Sequence, residues 1–446
     1  MPQLGARGSY KREQRLTRRA VAIVAMSAIV RAARPPPCDG WRMRPVASEV
    51  LGWRGLPVVL AAALAGCAAG DAAATPDATV AFDAAAGDVA AAPDADAGAR
   101  PPRWSLGYYA TWMAGAYPVE AIDWSGLTEL GIAFYVPQPD GSVKLLGGNP
   151  DVVAALVAAA HAHGVAAIAS VGGAGSGAPF EQDSAGVMRA AFVGRIAALV
   201  AGVGFDGVDI DWEPLARADE PIVIDLANRL RAAHPGLRLT LTLGFVNPNV
   251  PRDLSGAPAL AAAFDQLDLM TYGMAGAWPG WSKSWHNSPL YSQDAATPLS
   301  IDSTVRAYLA AGVPAARLGI GIGLYGLCYG APVTAPLQPL DGATVLAGDE
   351  TMSYAHIAAA YLAAGARTFD PLARVPYLSF VAAHAPDGCT YVSYDDAQSI
   401  ADKGAYVKAM GLGGVIEWEI NEGYLPSAPA GARNPLLDAV RDAVLR

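Results

Sequence analysis

The chain has 446 residues, a net charge of −10, and a composition that is 53% hydrophobic and 16% charged. This length fits two or three average domains or one large α/β barrel with additions, and the apolar content can fill a sizeable core. The acidic balance argues against a nucleic-acid partner, because no basic stripe is present to displace counterions from phosphates. The four cysteines form no CxxC pair and the six histidines show no ligand spacing. We therefore expect neither a metal nor a cofactor.

The first hundred residues predict targeting and tethering rather than a fold. Residues 56–67, LPVVLAAALAGC, form an apolar run too short to span a bilayer. The run ends in Leu-Ala-Gly-Cys, which resembles the signal of a bacterial lipoprotein that is lipidated on this cysteine. We predict a misassigned extension (1–42), a signal peptide (43–67) ending at lipidated Cys67, and a disordered linker (68–102) rich in Ala, Asp and Pro. An ordinary secretory signal is the alternative.

This N-terminal segment predicts an exported protein. The lipid on Cys67 would anchor it to a membrane, which would be the outer membrane if the cell has one. Without the lipid the protein would be secreted.

The folded part is predicted to begin at residue 103 and to alternate short apolar strands with alanine-rich helices. Helical patterns cover 150–164, 184–204 and 221–236, and several end in glycine. Strict β–α alternation predicts a (β/α)8 barrel with functional residues at the carboxyl ends of its strands. A doubly wound sheet is the alternative, although the first strand lacks the glycine-rich phosphate turn of that fold. The strand candidates are 105–112, 129–136, 165–173, 207–213, 237–244, 267–273, 318–326 and 413–420.

More than eighty residues separate the seventh and eighth strands, which is far more than one crossover helix needs. We predict a small α+β insertion over residues 327–395. Cys328 and Cys389 fall at its two ends. In an exported protein they are expected to form a disulfide, with two free buried thiols as the alternative.

The stretch FDGVDIDWEP (205–214) is unusual because it crowds carboxylates into an apolar segment. Side chains alternate along a strand, so Asp209, Asp211 and Glu213 share one face. Crowded acids inside a barrel cannot all stay ionised, so at least one proton is shared and Glu213 at the rim is suited to general acid catalysis. A solvated strand face and a hard-cation site are the alternatives.

DGVDIDWE resembles the DxxDxDxE signature of glycoside hydrolase family 18, the chitinase-like enzymes. Other stretches resemble further blocks of that family in the same order, so the resemblance covers about residues 105–425. These stretches are SVGG (170–173), MTYG (270–273), HNSPLY (286–291), LGIGIGLYG (318–326), YVSYDDAQSI (391–400) and GGVIEWEI (413–420).

The resemblance implies a glycosidase that cleaves β-1,4 bonds of N-acetylglucosamine polymers, such as chitin, with retention. The substrate's own acetamide group would act as the nucleophile. Glu213 would be the general acid and base, and Asp211 would hydrogen-bond the acetamide N–H. Asp209 would share a proton with Asp211, and Asp206 would give structural and electrostatic support near the substrate.

Aromatic residues complete the implied substrate site. Tyr272 would hold the acetamide carbonyl, and Trp418 would form the floor beneath the sugar. Gly273 stands where the family has an aspartate, which removes a carboxylate that contacts substrate. Further aromatic candidates for lining the cleft are Tyr108, Trp112, Trp278, Trp281 and Trp285.

Two other functions remain open from the sequence. The same chemistry could act on peptidoglycan or N-glycans, or the barrel could be a non-catalytic chitin-binding lectin. Retention of Glu213 favours the enzyme. We expect a polysaccharide substrate and a monomeric protein.

Overall fold

The computed structural model describes residues 103–186, 188–292 and 299–446. The predicted N-terminal extension, signal peptide, linker and lipidation site Cys67 lie outside the described residues. The strands are β1 (Trp104–Ala110), β2 (Glu129–Pro137), β3 (Val143–Leu145), β4 (Ala166–Gly173), β5 (Gly207–Trp212), β6 (Arg238–Gly244), β7 (Gln266–Met270), β8 (Leu318–Gly323), β9 (Leu327–Tyr329), β10 (Val345–Ala347), β11 (Ala366–Asp370), β12 (Val375–His384), β13 (Cys389–Ser393) and β14 (Gly414–Trp418).

Eight parallel strands close into a barrel. Their order is β1, β2, β4, β5, β6, β7, β8 and β14, and β14 pairs with β1 to complete the ring. The short strand β3 extends the sheet as an antiparallel partner of β2. The predicted (β/α)8 barrel is confirmed, and the open doubly wound alternative is wrong.

Local sequence signals fix the ends of several helices. Asn149 caps α1 by accepting a hydrogen bond from the Asp151 backbone N–H at 2.9 Å, and Pro150 stands in the first turn. Asp396 and Ser399 form a reciprocal capping box on α8. The helices are α1 (Pro150–Ala162), α2 (Gly177–Asp183), α3 (Met188–Val203), α4 (Glu220–Ala233), α5 (Ala257–Ala263), α6 (Ile301–Ala310), α7 (Tyr354–Ala360), α8 (Ala397–Ala409) and α9 (Pro435–Val440).

The main hydrophobic core lies between the barrel and its helices. Val208, Ile210 and Trp212 of β5 all belong to it, and Trp212 stacks on Phe180 of α2 with ring centroids 4.8 Å apart. The apolar residues of the acidic strand thus face outward, as the alternation predicts. Their burial anchors the strand while its other face carries the acids.

The predicted insertion between the last two barrel strands forms a separate antiparallel sheet in the order β10-β9-β13-β12-β11. A small core of its own packs between this sheet and α7. A disulfide joins Cys328 in β9 to Cys389 in β13, with the Cα atoms 5.4 Å apart. The disulfide prediction is therefore confirmed. The bridge joins the first strand of the insertion, β9, to its last strand, β13.

Within the part of the chain that the structure describes, no single helix has the length and apolarity to cross a bilayer. The pair α2 and α3 passes that test only when taken together, and a bend of 109° separates its two helices.

Candidate active site

Asp209 lies at the middle of β5 and is completely buried inside the barrel. Burial raises the pKa of its carboxyl, while hydrogen bonds from hydroxyl groups lower it. A carboxylate with this many donors is held in one orientation, so Asp209 is a fixed acceptor. The donors are the hydroxyls of Ser170 at 2.7 Å, Thr240 at 2.9 Å, Tyr108 at 3.0 Å and Thr242 at 3.1 Å.

Asp211 and Glu213 form a pair at the carboxyl end of the same strand. Burial raises the pKa of Asp211 well above its usual range, and the nearby charges of Glu213 and Asp209 raise it further. Burial also raises the pKa of Glu213, whereas its hydrogen bond with Asp211 lowers it. Both carboxyls therefore favour a protonated form more strongly than free carboxyls do, and Asp211 does so more strongly than Glu213. The predicted sharing of a proton between Asp209 and Asp211 stays a prediction; the structure shows that Asp209 also accepts hydrogen bonds from hydroxyl groups.

A close approach of two strands places this pair. Gly172 of β4 lies opposite Asp211 in the parallel register, with φ at +130°. A side chain at this position would put its Cβ 2.0 Å from the Asp211 carbonyl oxygen, so only glycine fits. Ser176 adds a second constraint, since its hydroxyl donates to the Asp211 carbonyl and accepts from the Glu213 N–H, both at 3.0 Å.

Tyr272 follows the end of β7 and faces the acid pair. Burial raises the pKa of its phenol well above the usual value, and the charges of Tyr325, Asp211 and Glu213 add to that rise. The ring meets Tyr325 edge to face at a centroid distance of 6.0 Å. Tyr272 therefore remains a neutral hydrogen-bond donor at the rim of the barrel.

Stacked aromatic rings line the same end of the barrel. Phe134 of β2 lies between Trp418, at a centroid distance of 5.3 Å, and Trp112, at 5.9 Å. Both tryptophans are partly exposed at the end of a barrel strand. This row gives the flat apolar surface on which a sugar ring packs.

Asp206 and Tyr108 were predicted to lie at the substrate, and neither reaches the open cleft. Asp206 precedes β5 at the amino end of the barrel, where it accepts hydrogen bonds from His161 and the Ala167 N–H, both at 2.8 Å. Its predicted place near the substrate is therefore wrong, because the whole strand separates it from Glu213. Tyr108 is only 2% exposed and donates to Asp209, so it orients an acid and cannot stack on a sugar.

Trp278 lies in a tryptophan cluster of the loop that follows β7. It stacks on Trp281 at 6.2 Å, and Trp281 in turn meets Trp285 edge to face. Trp285 is 1% exposed and its indole donates to the Leu299 carbonyl. This cluster packs with Ala373 and Val375 of the insertion, so Trp281 and Trp285 are loop packing rather than cleft lining.

The structure adds residues that the sequence did not single out. Thr240 and Thr242 could have been found, since they alternate along a predicted strand and thus face the barrel interior with the acids. Asp349 and Glu350 of the insertion carried no signal, because a loop sequence does not show where its side chains reach. Asp349 accepts a hydrogen bond from the Trp418 indole N–H at 2.9 Å.

Two cavities lie at the opposite, amino end of the barrel. One of about 540 Å³ is lined by Trp104, Glu129 and Arg238 among others, and one of about 590 Å³ by His161 and Asp206. Neither touches Glu213, and the chemistry belongs with the acids at the other end. Across residues 103–186, 188–292 and 299–446, His, Cys, Asp and Glu side chains form no group of three or more that could hold a metal ion.

Comparisons with known proteins agree with this geometry. A chitinase-like effector of Moniliophthora roreri is 28% identical over 387 residues, which are 75% of this chain and 91% of the relative. A probable endochitinase of Caenorhabditis elegans is 31% identical over 255 residues, which are 52% of this chain and 39% of that protein.

Solved structures show the same fold. The crystal structure of a Group IV chitinase of Ostrinia furnacalis matches with a TM-score of 0.66 at 23% identity, over 77% of this chain and 100% of that one. Its complex with allosamidin matches with a TM-score of 0.65 at 24% identity, over 76% and 98%. Residues 105–423 match the sequence profile described as glycosyl hydrolases family 18. With that match spanning most of its length, the chain belongs to glycosyl hydrolases family 18.

Proposed function

We propose that the protein hydrolyses β-1,4 bonds of N-acetylglucosamine polymers with retention of configuration. The observation that carries this proposal is the crowding of Asp209, Asp211 and Glu213 along and just after β5, where burial raises the pKa of all three carboxyls. Tyr272 and Trp418 pack against the same cluster of barrel residues, and the charges of Asp211 and Glu213 act on the Tyr272 phenol. In this arrangement Glu213 is the acid, Asp211 the hydrogen-bond acceptor and Tyr272 the hydrogen-bond donor. Trp418 is the flat surface against which the sugar packs.

In the proposed mechanism, one proton shared by Asp211 and Glu213 accounts for both halves of the first chemical step. Glu213 receives the proton from Asp211 and passes it to the glycosidic oxygen as the bond from that oxygen to C1 breaks. Asp211 is left as a carboxylate and accepts a hydrogen bond from the acetamide N–H. The acetamide carbonyl oxygen bonds to C1, giving a cationic oxazolinium ion whose positive charge balances the additional negative charge on the acids.

Tyr272 and Trp418 position the substrate for this attack. The Tyr272 hydroxyl donates to the acetamide carbonyl oxygen and holds it beneath C1. Trp418 packs against the sugar ring from below. Water then attacks C1, the ring of the oxazolinium opens, and Glu213 takes the proton of that water.

Chitin and chitooligosaccharides are the proposed substrates. Two similar proteins support this choice: one is named a probable endochitinase of Caenorhabditis elegans, and the other is named chitinase A1 of Niallia circulans. Peptidoglycan and N-glycans contain the same acetamide group and would satisfy the same chemistry. Mass spectrometry of products from chitin, peptidoglycan and a glycoprotein, incubated in parallel with the full-length protein, separates these substrates.

The test of the mechanism uses a chromogenic N-acetylchitooligosaccharide. We expect turnover by the unmodified protein, inhibition by a thiazoline analogue of the oxazolinium ion, and loss of turnover in Glu213→Gln. Unaffected turnover at saturating analogue would contradict substrate assistance. Substantial turnover by Glu213→Gln would contradict the assignment of the acid.

Carbohydrate binding without catalysis is the second candidate function. Gly273 favours it, because the chain lacks the carboxylate that the family places after the tyrosine. The Moniliophthora roreri relative, named a chitinase-like effector, extends over three quarters of this chain. Chitooligosaccharide binding by the unmodified protein, with no product detected after long incubation, would favour this second function.

We also propose that the protein is exported and anchored through a lipid on Cys67. The Cys328–Cys389 disulfide supports export, because such bridges persist in oxidising compartments. Metabolic labelling with palmitate should mark the full-length chain and not Cys67→Ser. Equal labelling of both chains would exclude this anchor.

A further inference from the structure

A short turn of the insertion reaches the rim of the barrel. It follows β10 and comprises Gly348 and the 3-10 segment Asp349–Met352. Asp349 accepts a hydrogen bond from the indole N–H of Trp418 at 2.9 Å, and Glu350 accepts one from that of Trp112 at 2.7 Å. Neighbouring acids of one turn thus hold two tryptophans that come from different barrel strands.

These bonds fix the orientation of the aromatic row. An indole has a single N–H, so its acceptor decides how the ring is turned. Trp418 and Trp112 stack on opposite sides of Phe134, and Trp418 also contacts the ring of Tyr108 at 5.6 Å. The ring of Trp418 is therefore held by packing from the barrel and by one polar contact from the insertion.

The turn has a defined conformation. Asp349 has φ at +42°, a region that aspartate and asparagine adopt far more readily than most residues. Thr351 braces the turn, since its hydroxyl accepts from the Gly348 N–H at 3.2 Å and donates to the Gly348 carbonyl at 2.7 Å. The acid at position 349 is thus compatible with a backbone that would strain a bulky side chain.

The carboxylate of Asp349 also acts on the acid pair. Its charge adds to the rise in the pKa of Glu213 and of Tyr272. Desolvation by the surrounding protein raises its own pKa to about 6, the hydrogen bond from Trp418 opposes that rise, and the charge of Glu350 adds to it. Gly273 leaves a space nearby in which a side chain would meet the hydroxyl of Tyr325.

We propose that Asp349 is a positioning residue that orients Trp418 in the cleft and supplies, from the insertion, a carboxylate that Gly273 does not provide. This inference rests on the proposed glycosidase function, because the cleft is its substrate site. Asp349 acts on the substrate site in two ways: its carboxylate holds the Trp418 indole, and its negative charge acts on the Glu213 carboxyl. The insertion therefore contributes a residue to the active site.

Several titratable groups surround Asp349, and the charge of each one affects the pH at which Asp349 ionises. Glu350 is its neighbour in the turn, and Glu419 and Glu422 are buried acids just beyond β14. When one of these acids is ionised, its negative charge makes ionisation of the others less favourable. The groups that respond to Asp349 are Glu213, Tyr272, Tyr325, Glu419 and Glu422.

The experiment uses two substitutions at position 349 in the full chain and one matched control. Asp349→Asn keeps an acceptor for the indole and removes the charge, whereas Asp349→Gly removes both and tolerates the positive φ. Asp341→Asn is the control, since Asp341 is exposed in the same insertion and has φ at +47°. The kcat and KM of each variant are measured on N-acetylchitotetraose across pH.

Asp349→Gly is expected to raise KM roughly tenfold, the value of one lost hydrogen bond to a charged group. Asp349→Asn should keep KM close to that of the unmodified protein. Its alkaline limb of kcat/KM should move to lower pH, because removal of a negative neighbour lowers the pKa of Glu213. Asp341→Asn should show neither change, and equal effects from Asp341→Asn and Asp349→Asn would overturn the proposal.

A double-mutant cycle with Trp418→Phe separates this inference from the proposed function. Binding of N-acetylchitotetraose is measured calorimetrically in a Glu213→Gln background, so turnover is not required. If Asp349 acts through Trp418, Asp349→Gly should weaken binding much less once Trp418 is replaced. Additive losses would overturn the inference while leaving the enzyme assignment intact. Coupling between Asp349 and Trp418, together with no turnover by the unmodified protein, would overturn the enzyme assignment alone.

A ligand-free readout completes the test. Tryptophan emission of the unmodified protein should titrate near pH 6 as Asp349 ionises beside the indole. That transition should vanish in Asp349→Asn and in Trp418→Phe and persist in Asp341→Asn. A transition that persists in Asp349→Asn would overturn the contact on which the proposal stands.

Discussion

The carboxylates at the two ends of the barrel have different neighbours. At the amino end, Glu129 accepts hydrogen bonds from Arg238 and from Gln266, and Asp206 pairs with His161. At the carboxyl end, the groups that interact most strongly with Asp211 are the acids Glu213 and Asp209. Acids are satisfied by donors at one end and crowded by other acids at the other.

This difference shows which acids are available for chemistry. A cation or an amide donor lowers the pKa of a carboxylate, and at Glu129 this opposes the rise that burial causes. Carboxylates that crowd one another retain a proton that can be transferred. Asp206 and Glu213 belong to one short motif, yet the length of β5 places them at different ends of the barrel.

The largest expected contrast is between Glu213→Gln and Asp206→Asn. Loss of the general acid should reduce kcat/KM on the order of a thousandfold. Asp206→Asn should change it less than about twofold, since a surface acid-histidine pair contributes little. Both are measured with the chromogenic substrate, and circular dichroism checks the fold. A comparable loss in both variants would remove the functional distinction between the two ends.

Tyr272→Phe should give the next largest effect. Removing the hydroxyl that holds the acetamide carbonyl should lower kcat roughly tenfold to a hundredfold, with a smaller change in KM. Tyr109→Phe is a suitable control, because Tyr109 is a buried tyrosine whose hydroxyl donates to the Tyr117 carbonyl outside the acid pair. Steady-state kinetics of the two variants decide the matter. A loss confined to KM would indicate binding without positioning for attack.

Arg238→Ala examines the amino end. Glu129 is only 2% exposed and would lose its cation, whereas the Arg238 side chain is 43% exposed, so solvent weakens the pair. We expect a destabilisation of about 1–2 kcal/mol in urea unfolding and little change in kcat/KM. Glu129→Gln combined with Arg238→Ala should recover part of that stability. A large loss of activity would mean that the amino end influences the acids after all.

The smallest effect concerns pH. The folded protein raises the pKa of Asp211, so the associated stability is fully present below the unfolded value, near about 4. It is lost as pH rises through the higher folded value. Stability of Asp211→Asn should therefore fall less between pH 4 and neutrality than that of the unmodified protein. Identical pH dependence in denaturant melts would contradict the raised pKa.

The sequence predicted what depends on periodicity. Eight strands could be found, and alternation placed Asp209 and Glu213 on the face opposite Trp212. Alternation could not show how far along the barrel a residue lies, so Asp206 was assigned to the substrate. Nor could it show that Tyr108 points into the acids instead of the cleft.

Contacts between distant segments were the part that the sequence did not reveal. Asp349 and Trp418 are far apart in the chain, and the bond between them depends on how the insertion folds back over the barrel. The hydroxyl groups of β1, β4 and β6 that donate to Asp209 were also hidden, because they come from three separate strands. Both features arise from tertiary packing and leave no local pattern.

Gly273 also affects how the active site can evolve by point mutation. Its φ of +65° would strain any side chain, although aspartate adopts this region more readily than most residues, and a Cβ there would meet the Tyr325 hydroxyl at 3.4 Å. Glycine and aspartate codons ending in a pyrimidine differ by a single nucleotide. The missing carboxylate is thus accessible to one point mutation without rebuilding the backbone, and a library selected for faster turnover has a short route to it.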